Sequence, residues 1–259
     1  MKITKTLLAL STAALLATGC TVGDGIGGPN DPNDPNNPNN PNNPNNPKPE
    51  PSYTMAVTST PTAQLTLGNQ ADFQIELASQ NDFAGPVTLS LTGVPASWQA
   101  TFNPAGPVAL AANDKVTVVL SVVVPTDGEA PAVAQQIGIE SDATPGKQQG
   151  SVSVQAENRL IVDVPAGSGT GTHTFLKDVK VRVGTAVEIK NDDAIAHRIH
   201  AGDGGVGFPH QAASMGTGES YKITFTGVPT GGVAEYYCHD HGENKGTGSF
   251  IVVAAPATP

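Results

Sequence analysis

Phe73-Gln74-Ile75-Glu76-Leu77 alternates apolar with polar residues, and a period of two puts every second side chain on one face of a β-strand. The pattern returns in Val87-Thr88-Leu89-Ser90-Leu91, Val116-Thr117-Val118-Val119-Leu120 and Ser151-Val152-Ser153-Val154, separated by Gly, Pro and Asn turns. Short β-branched runs with frequent turn signals predict a sandwich. A second series follows in Arg159-Leu160-Ile161-Val162, Val179-Lys180-Val181-Arg182-Val183, Val187-Glu188-Ile189, Tyr221-Lys222-Ile223-Thr224-Phe225 and Phe250-Ile251-Val252-Val253. The expected fold class is therefore all-β, with one sandwich over residues 53–157 and another over 158–259. Composition agrees: the 259 residues include 29 Gly and 22 Pro and only 14% charged side chains, a balance suited to short strands and turns.

The excess of 23 Asp and Glu over 13 Lys and Arg gives a formal charge of −10. Nucleic acid is excluded as an expected partner, because a duplex or RNA binder needs a cationic face to displace counterions. Gly23-Asp24-Gly25-Ile26-Gly27-Gly28 matches G-x-G-x-x-G formally but neither follows a strand nor opens a helix, so it is not read as a dinucleotide site. No Gly-x-Ser-x-Gly elbow or phosphate loop is present, and the chain is not expected to be an enzyme.

The amino terminus reads as an address. Lys2 and Lys5 precede an apolar run from Leu7 to Leu16, and small residues lead to Cys20, the layout of an export signal over residues 1–19. Leu16-Ala17-Thr18-Gly19-Cys20 resembles the lipobox of bacterial lipoproteins. That resemblance implies lipidation of Cys20 and attachment to a membrane through the N-terminal lipid. A bacterial cell-envelope location is expected, periplasmic or at the outer membrane and cell surface, with Thr21 favouring outer-membrane delivery. Residues 20–52 form the expected disordered linker. Nine prolines fall between 29 and 51, mostly at every third position, and polyproline II at about 3.1 Å per residue would extend this stretch to roughly 60–70 Å.

In the first module, Phe83-Ala84-Gly85-Pro86-Val87 through Gly93-Val94-Pro95 resembles bacterial immunoglobulin-like modules of extracytoplasmic proteins. This half holds neither Cys nor His, and Trp98 is expected to pack. All six histidines (173, 197, 200, 210, 239 and 241) and Cys238 fall in the second module.

Tyr236-Tyr237-Cys238-His239-Asp240-His241-Gly242 is the dense element. A thiolate with imidazoles suits copper or zinc and suits Mg²⁺ or Ca²⁺ poorly. Cys238 and His241 are close enough for a strand end and a tight turn to aim both at one ion, and His197 is the candidate third ligand. Asn191-x₅-His197, then Tyr237-Cys238-x₂-His241-Gly242 and Gly248-Ser249-Phe250-Ile251-Val252, resembles cupredoxins of the plastocyanin and azurin type over residues 159–254.

The resemblance implies a Greek-key sandwich, one type 1 copper ion held by His197, Cys238 and His241, and one-electron exchange with a redox partner protein. Two departures stand out. Gly246 occupies the place of the family's axial Met, leaving Gly246, Glu243 or His239 as the axial or secondary positions. Arg198 stands where Asn usually follows the first ligand, and Asn191 is the candidate to replace its hydrogen bond. Met215 is expected to pack, His173 to be structural, and His200, His210 and His239 to be mainly surface residues. Two other functions fit the same residues: a copper-buffering lipoprotein that recruits His200, His210, His239 and Glu243, and a metal-free surface-display protein.

Overall fold

A computed structural model describes residues 48–168, 175–202, 209–242 and 247–255. The export signal, Cys20, His173, Glu243 and Gly246 lie outside them. The described strands all fall within the unit Glu50–Pro259, and no α-helix occurs among the described residues. The protein is all-β.

The first part of this unit contains β1 (Ser52–Val57), β2 (Thr62–Leu67), β3 (Gln70–Gln80), β4 (Gly85–Thr92), β5 (Gln99–Asn103), β6 (Val108–Leu110), β7 (Lys115–Val123) and β8 (Gln135–Ala143). Four of them make an antiparallel sheet in the order β1-β3-β7-β5. Its inner face follows the alternation: Phe73, Ile75 and Leu77 of β3 are buried, as are Val118, Leu120 and Val122 of β7. Trp98 is also buried, and its indole donates to the Glu129 carbonyl at 2.8 Å, which satisfies its one polar atom.

A long strand, β9 (Gly146–Val164), connects this part to β10 (Val179–Arg182), β11 (Ala186–Asn191), β12 (Ile199–Ala201), β13 (Ser220–Thr224), β14 (Val233–Cys238) and β15 (Thr247–Val253). Its first half pairs antiparallel with β8. Its second half pairs parallel with β11, from Arg159 opposite Ala186 to Val164 opposite Asn191. One sheet, β13-β11-β9-β8-β4-β6 with β2 also on β9, thus runs through residues 157 and 158 without a break. Glu157 and Asn158 are both exposed, so burial lapses there for one position and resumes in the same phase at Leu160, Val162 and Val164, close to where the register with β2 shifts.

The remaining sheet has the order β10-β15-β14-β12. Its inward side chains include Val181, Ile199, Tyr236, Phe250 and Val252, and Phe225 is buried with them. The Tyr236 and Phe250 rings lie 5.2 Å apart and the Phe225 and Phe250 rings 5.5 Å apart. Each such buried ring contributes on the order of 1.5–3 kcal/mol. Gly248 of β15 is small for a steric reason: a Cβ there would lie 2.2 Å from Tyr236 Cζ. This packing fixes β14, and β14 carries the cysteine.

Candidate metal centre

Ala234, Tyr236 and Cys238 are the inward residues of β14, and Cys238 ends the strand fully buried. The chain then turns on the Cys238 carbonyl, which accepts from His241 N at 3.2 Å and Gly242 N at 3.1 Å. Gly242 takes a positive φ of 88°, a conformation that costs glycine little. The turn returns His241 over the strand end, with its Nδ1 3.0 Å from Cys238 Sγ.

His197 reaches the same point from the other side. It follows the loop after β11 and pairs with Met215 in both directions, His197 N to Met215 O at 3.0 Å and Met215 N to His197 O at 2.7 Å. Buried Asn191 shapes that loop. Its Nδ2 donates to the Ile195 and Met215 carbonyls at 2.8 and 3.0 Å, and its Oδ1 accepts from Asp193 N at 2.9 Å. The side chain that was the candidate for loop support therefore ties together the two segments flanking His197.

His197, Cys238 and His241 offer donor atoms that all lie within 4.8 Å of one another. His197 is fully buried, and its Nε2 lies 3.0 Å from Asp193 Oδ2. With the Nε2 proton donated to that carboxylate, Nδ1 carries the lone pair. Nδ1 is buried and has no hydrogen-bond partner. An orphaned buried polar atom costs about 1–3 kcal/mol, and a histidine carrying one in a cluster with a thiol and a second imidazole is what a metal site requires. The residues present fit a thiophilic ion such as copper or zinc.

Asp193 is the functional residue that sequence reading missed. Its Oδ2 faces His197, while its Oδ1 accepts from Gly167 N and Ala194 N, both at 2.8 Å. Phe175 adds an edge-on contact to His197 at 5.7 Å. The side chain of Arg198 points outward to Asp240 at 3.4 Å, and its carbonyl accepts from His239 N at 2.7 Å. The two ligand-bearing loops are thus bridged by main chain and by an ion pair. Burial pushes the Tyr236 phenol above its ordinary range, so it stays neutral beneath the site.

Other sequence candidates lie elsewhere. Met215 is buried and sits opposite His197. His200, His210 and His239 gather outside the three-residue cluster: the His200 ring lies 3.5 Å from that of His210 and 5.0 Å from that of His239.

No family model matches the chain, and no curated protein matches it. Solved structures are similar to parts of it. A novel purple cupredoxin from Nitrosopumilus maritimus shares 27% identity over 36% of this chain and 98% of its own, with a TM-score of 0.30. A reduced amicyanin variant shares 24% over 38% of this chain and 85% of its own, also at 0.30. Domains 4 and 5 of the S-layer protein SbsC share 18% over 41% of this chain and 53% of their own, at 0.29.

Proposed function

We propose that this chain is a membrane-anchored extracytoplasmic protein that holds one type 1 copper ion through His197, Cys238 and His241 and exchanges single electrons with a partner protein. The observation that carries the reading is the gathering of His197, Cys238 and His241, with one donor atom of each within 4.8 Å of the others, together with a buried His197 Nδ1 that has no hydrogen-bond partner. When bound, copper supplies a one-electron couple between its +1 and +2 states. The protein supplies a fixed geometry. Asp193 holds the His197 ring in one tautomer, Asn191 locks its loop, and the β14 turn fixes Cys238 and His241 together. A site that moves little between oxidation states has less to reorganise during transfer.

His241 is only partly buried, whereas His197 and Cys238 are fully enclosed. Its imidazole edge is the route by which an electron enters or leaves. The ligand loop, Glu243-Asn244-Lys245-Gly246, contains no methionine, so a bound ion would be held by the trio with no thioether supplied from that loop. Lipid on Cys20 and the Pro/Asn-rich tether place the site at a distance from the membrane. No helix among the described residues is long and apolar enough to cross a membrane.

The test is one equivalent of Cu(II) added to the mature protein, followed by absorption spectroscopy and voltammetry. An intense visible thiolate-to-copper band with a reversible one-electron wave is expected. A colourless Cu(II) adduct without such a wave would refute the proposal.

A further inference from the structure

We infer a second metal-binding site, built from His200, His210 and His239, on the face of β14 opposite Cys238. The strand alternation creates it. Tyr236 and Cys238 point into the core, so Tyr237 and His239 face outward. β12 pairs with β14 so that His200 stands opposite Tyr237, and their rings are 4.7 Å apart. His200 then has His239 at 5.0 Å on one side.

His210 arrives from a third segment. Gln211 clips that segment to β12 twice, its N–H donating to the Ile199 carbonyl at 3.1 Å and its Oε1 accepting from Ile199 N at 2.8 Å. This brings the exposed His210 ring against that of His200. Imidazoles from two further stretches of chain therefore flank that of His200.

Their chemistry differs from that of the first site. His200 Nδ1 lies 3.1 Å from the Ala201 carbonyl; donation there leaves Nε2 as the free lone pair. Three neutral imidazoles and a water position suit Zn²⁺ or Cu²⁺, with no thiolate to favour Cu⁺. Among the described residues, the His197, Cys238 and His241 set is the one whose donor atoms already lie within 4.8 Å. The second trio closes by rotation of His210 and His239, both of which are exposed. Ordering those two side chains costs conformational entropy, so the second ion binds more weakly than the first.

The test uses the mature chain in four forms: wild type, Cys238→Ser, the pair His210→Ala with His239→Ala, and all three together. Each is equilibrated by dialysis against excess Cu(II) in one series and Zn(II) in another, and bound metal per chain is counted. With at least one of the two metals, wild type holds two ions, Cys238→Ser and the histidine pair hold one each, and the triple variant holds none. In the copper series the ion retained by Cys238→Ser gives a nitrogen-ligated EPR spectrum without a visible thiolate band. The series that gives this pattern identifies the ion. Wild type holding a single ion with both metals, or the histidine pair still holding two, would overturn the inference. Failure of the first site would appear differently, as loss of the thiolate band in wild type while the histidine pair still removes an ion.

Discussion

Replacing Asp193 by Ala removes the carboxylate that, among the described residues, holds His197. Among the described residues three donors bond to it: the His197 Nε2–H at 3.0 Å, and Gly167 N and Ala194 N at 2.8 Å each. Both side chains of the pair are nearly sealed, at 0% and 5% exposure, so water cannot replace the lost acceptor. Each stranded buried donor costs about 1–3 kcal/mol. Because Gly167 and Ala194 lie nearer solvent than the ring, the expected loss of stability in the metal-free protein is about 3–4 kcal/mol.

Asp193→Asn is the sharper probe. One carboxylate oxygen serves the imidazole and the other serves both main-chain amides. The amide side chain has a single acceptor, so it must turn an NH₂ toward one of these donors, and about 2 kcal/mol is lost. The ring then no longer holds a fixed tautomer, and copper affinity drops roughly 10–100-fold, the usual consequence of losing a group that orients a ligand. Urea unfolding of the metal-free protein and competition against a copper chelator measure the two effects. Asp193→Ala with stability within about 0.5 kcal/mol of wild type and unchanged copper affinity would refute the reasoning.

Gly248→Ala drives a methyl into Tyr236, whose Cζ and Oη lie 2.2 and 2.4 Å from the added carbon; a loss of at least about 1–3 kcal/mol in urea unfolding is expected, with weakened copper binding because Tyr236 underlies Cys238. Asn191→Ala removes the side-chain partner of the Ile195 carbonyl and of Asp193 N, and leaves the Met215 carbonyl with the His197 amide alone; it should cost about 1–3 kcal/mol while loosening His197. Met215→Leu keeps the main-chain pairing with His197 and the core volume, so the thiolate-to-copper band should not move; a displaced band would identify the Met215 thioether as a fourth donor.

Glu188 predicts a pH effect. A hydrogen bond from Ser220 holds its carboxyl below the ordinary 4.5 against the opposing effect of burial, helped by Lys222 and then Arg159. A depressed folded-state value means stabilisation that is present above about pH 4.5 and lost as pH falls through the lower folded value. Glu188→Gln should therefore be less stable than wild type at pH 7, by under about 1 kcal/mol because the paired cations are largely exposed, and the two unfolding curves should converge in acid.

Much of the fold was legible because strand burial has the same period as the sequence alternation. Phe73, Ile75 and Leu77 face inward as written, and so do Tyr236 and Cys238. Continuity through β9 was not legible. Glu157, Asn158 and Arg159 interrupt the apolar rhythm and read as a junction; a single strand runs through them, with two successive residues exposed and the same face buried on either side.

At the site, Cys238 and His241 announce themselves by spacing, whereas His197 depends on the resemblance in chain order. Asp193 gave no signal. Its neighbour Asp192 is exposed and bonds Lys190 at 2.6 Å, while Asp193 is buried against His197; two adjacent aspartates look alike until the loop is folded. The meeting of His200, His210 and His239 was equally hidden, since it depends on the register of β12 against β14 and on the Gln211 clip.

Anomalous scattering at the copper edge, from crystals of the mature protein grown with one equivalent of copper, locates the ion relative to the three side chains proposed to hold it. A peak is expected within bonding distance of His197 Nδ1, Cys238 Sγ and His241 Nδ1. Copper located only elsewhere, with Cys238 Sγ still bound to nothing but the imidazole beside it, would contradict it.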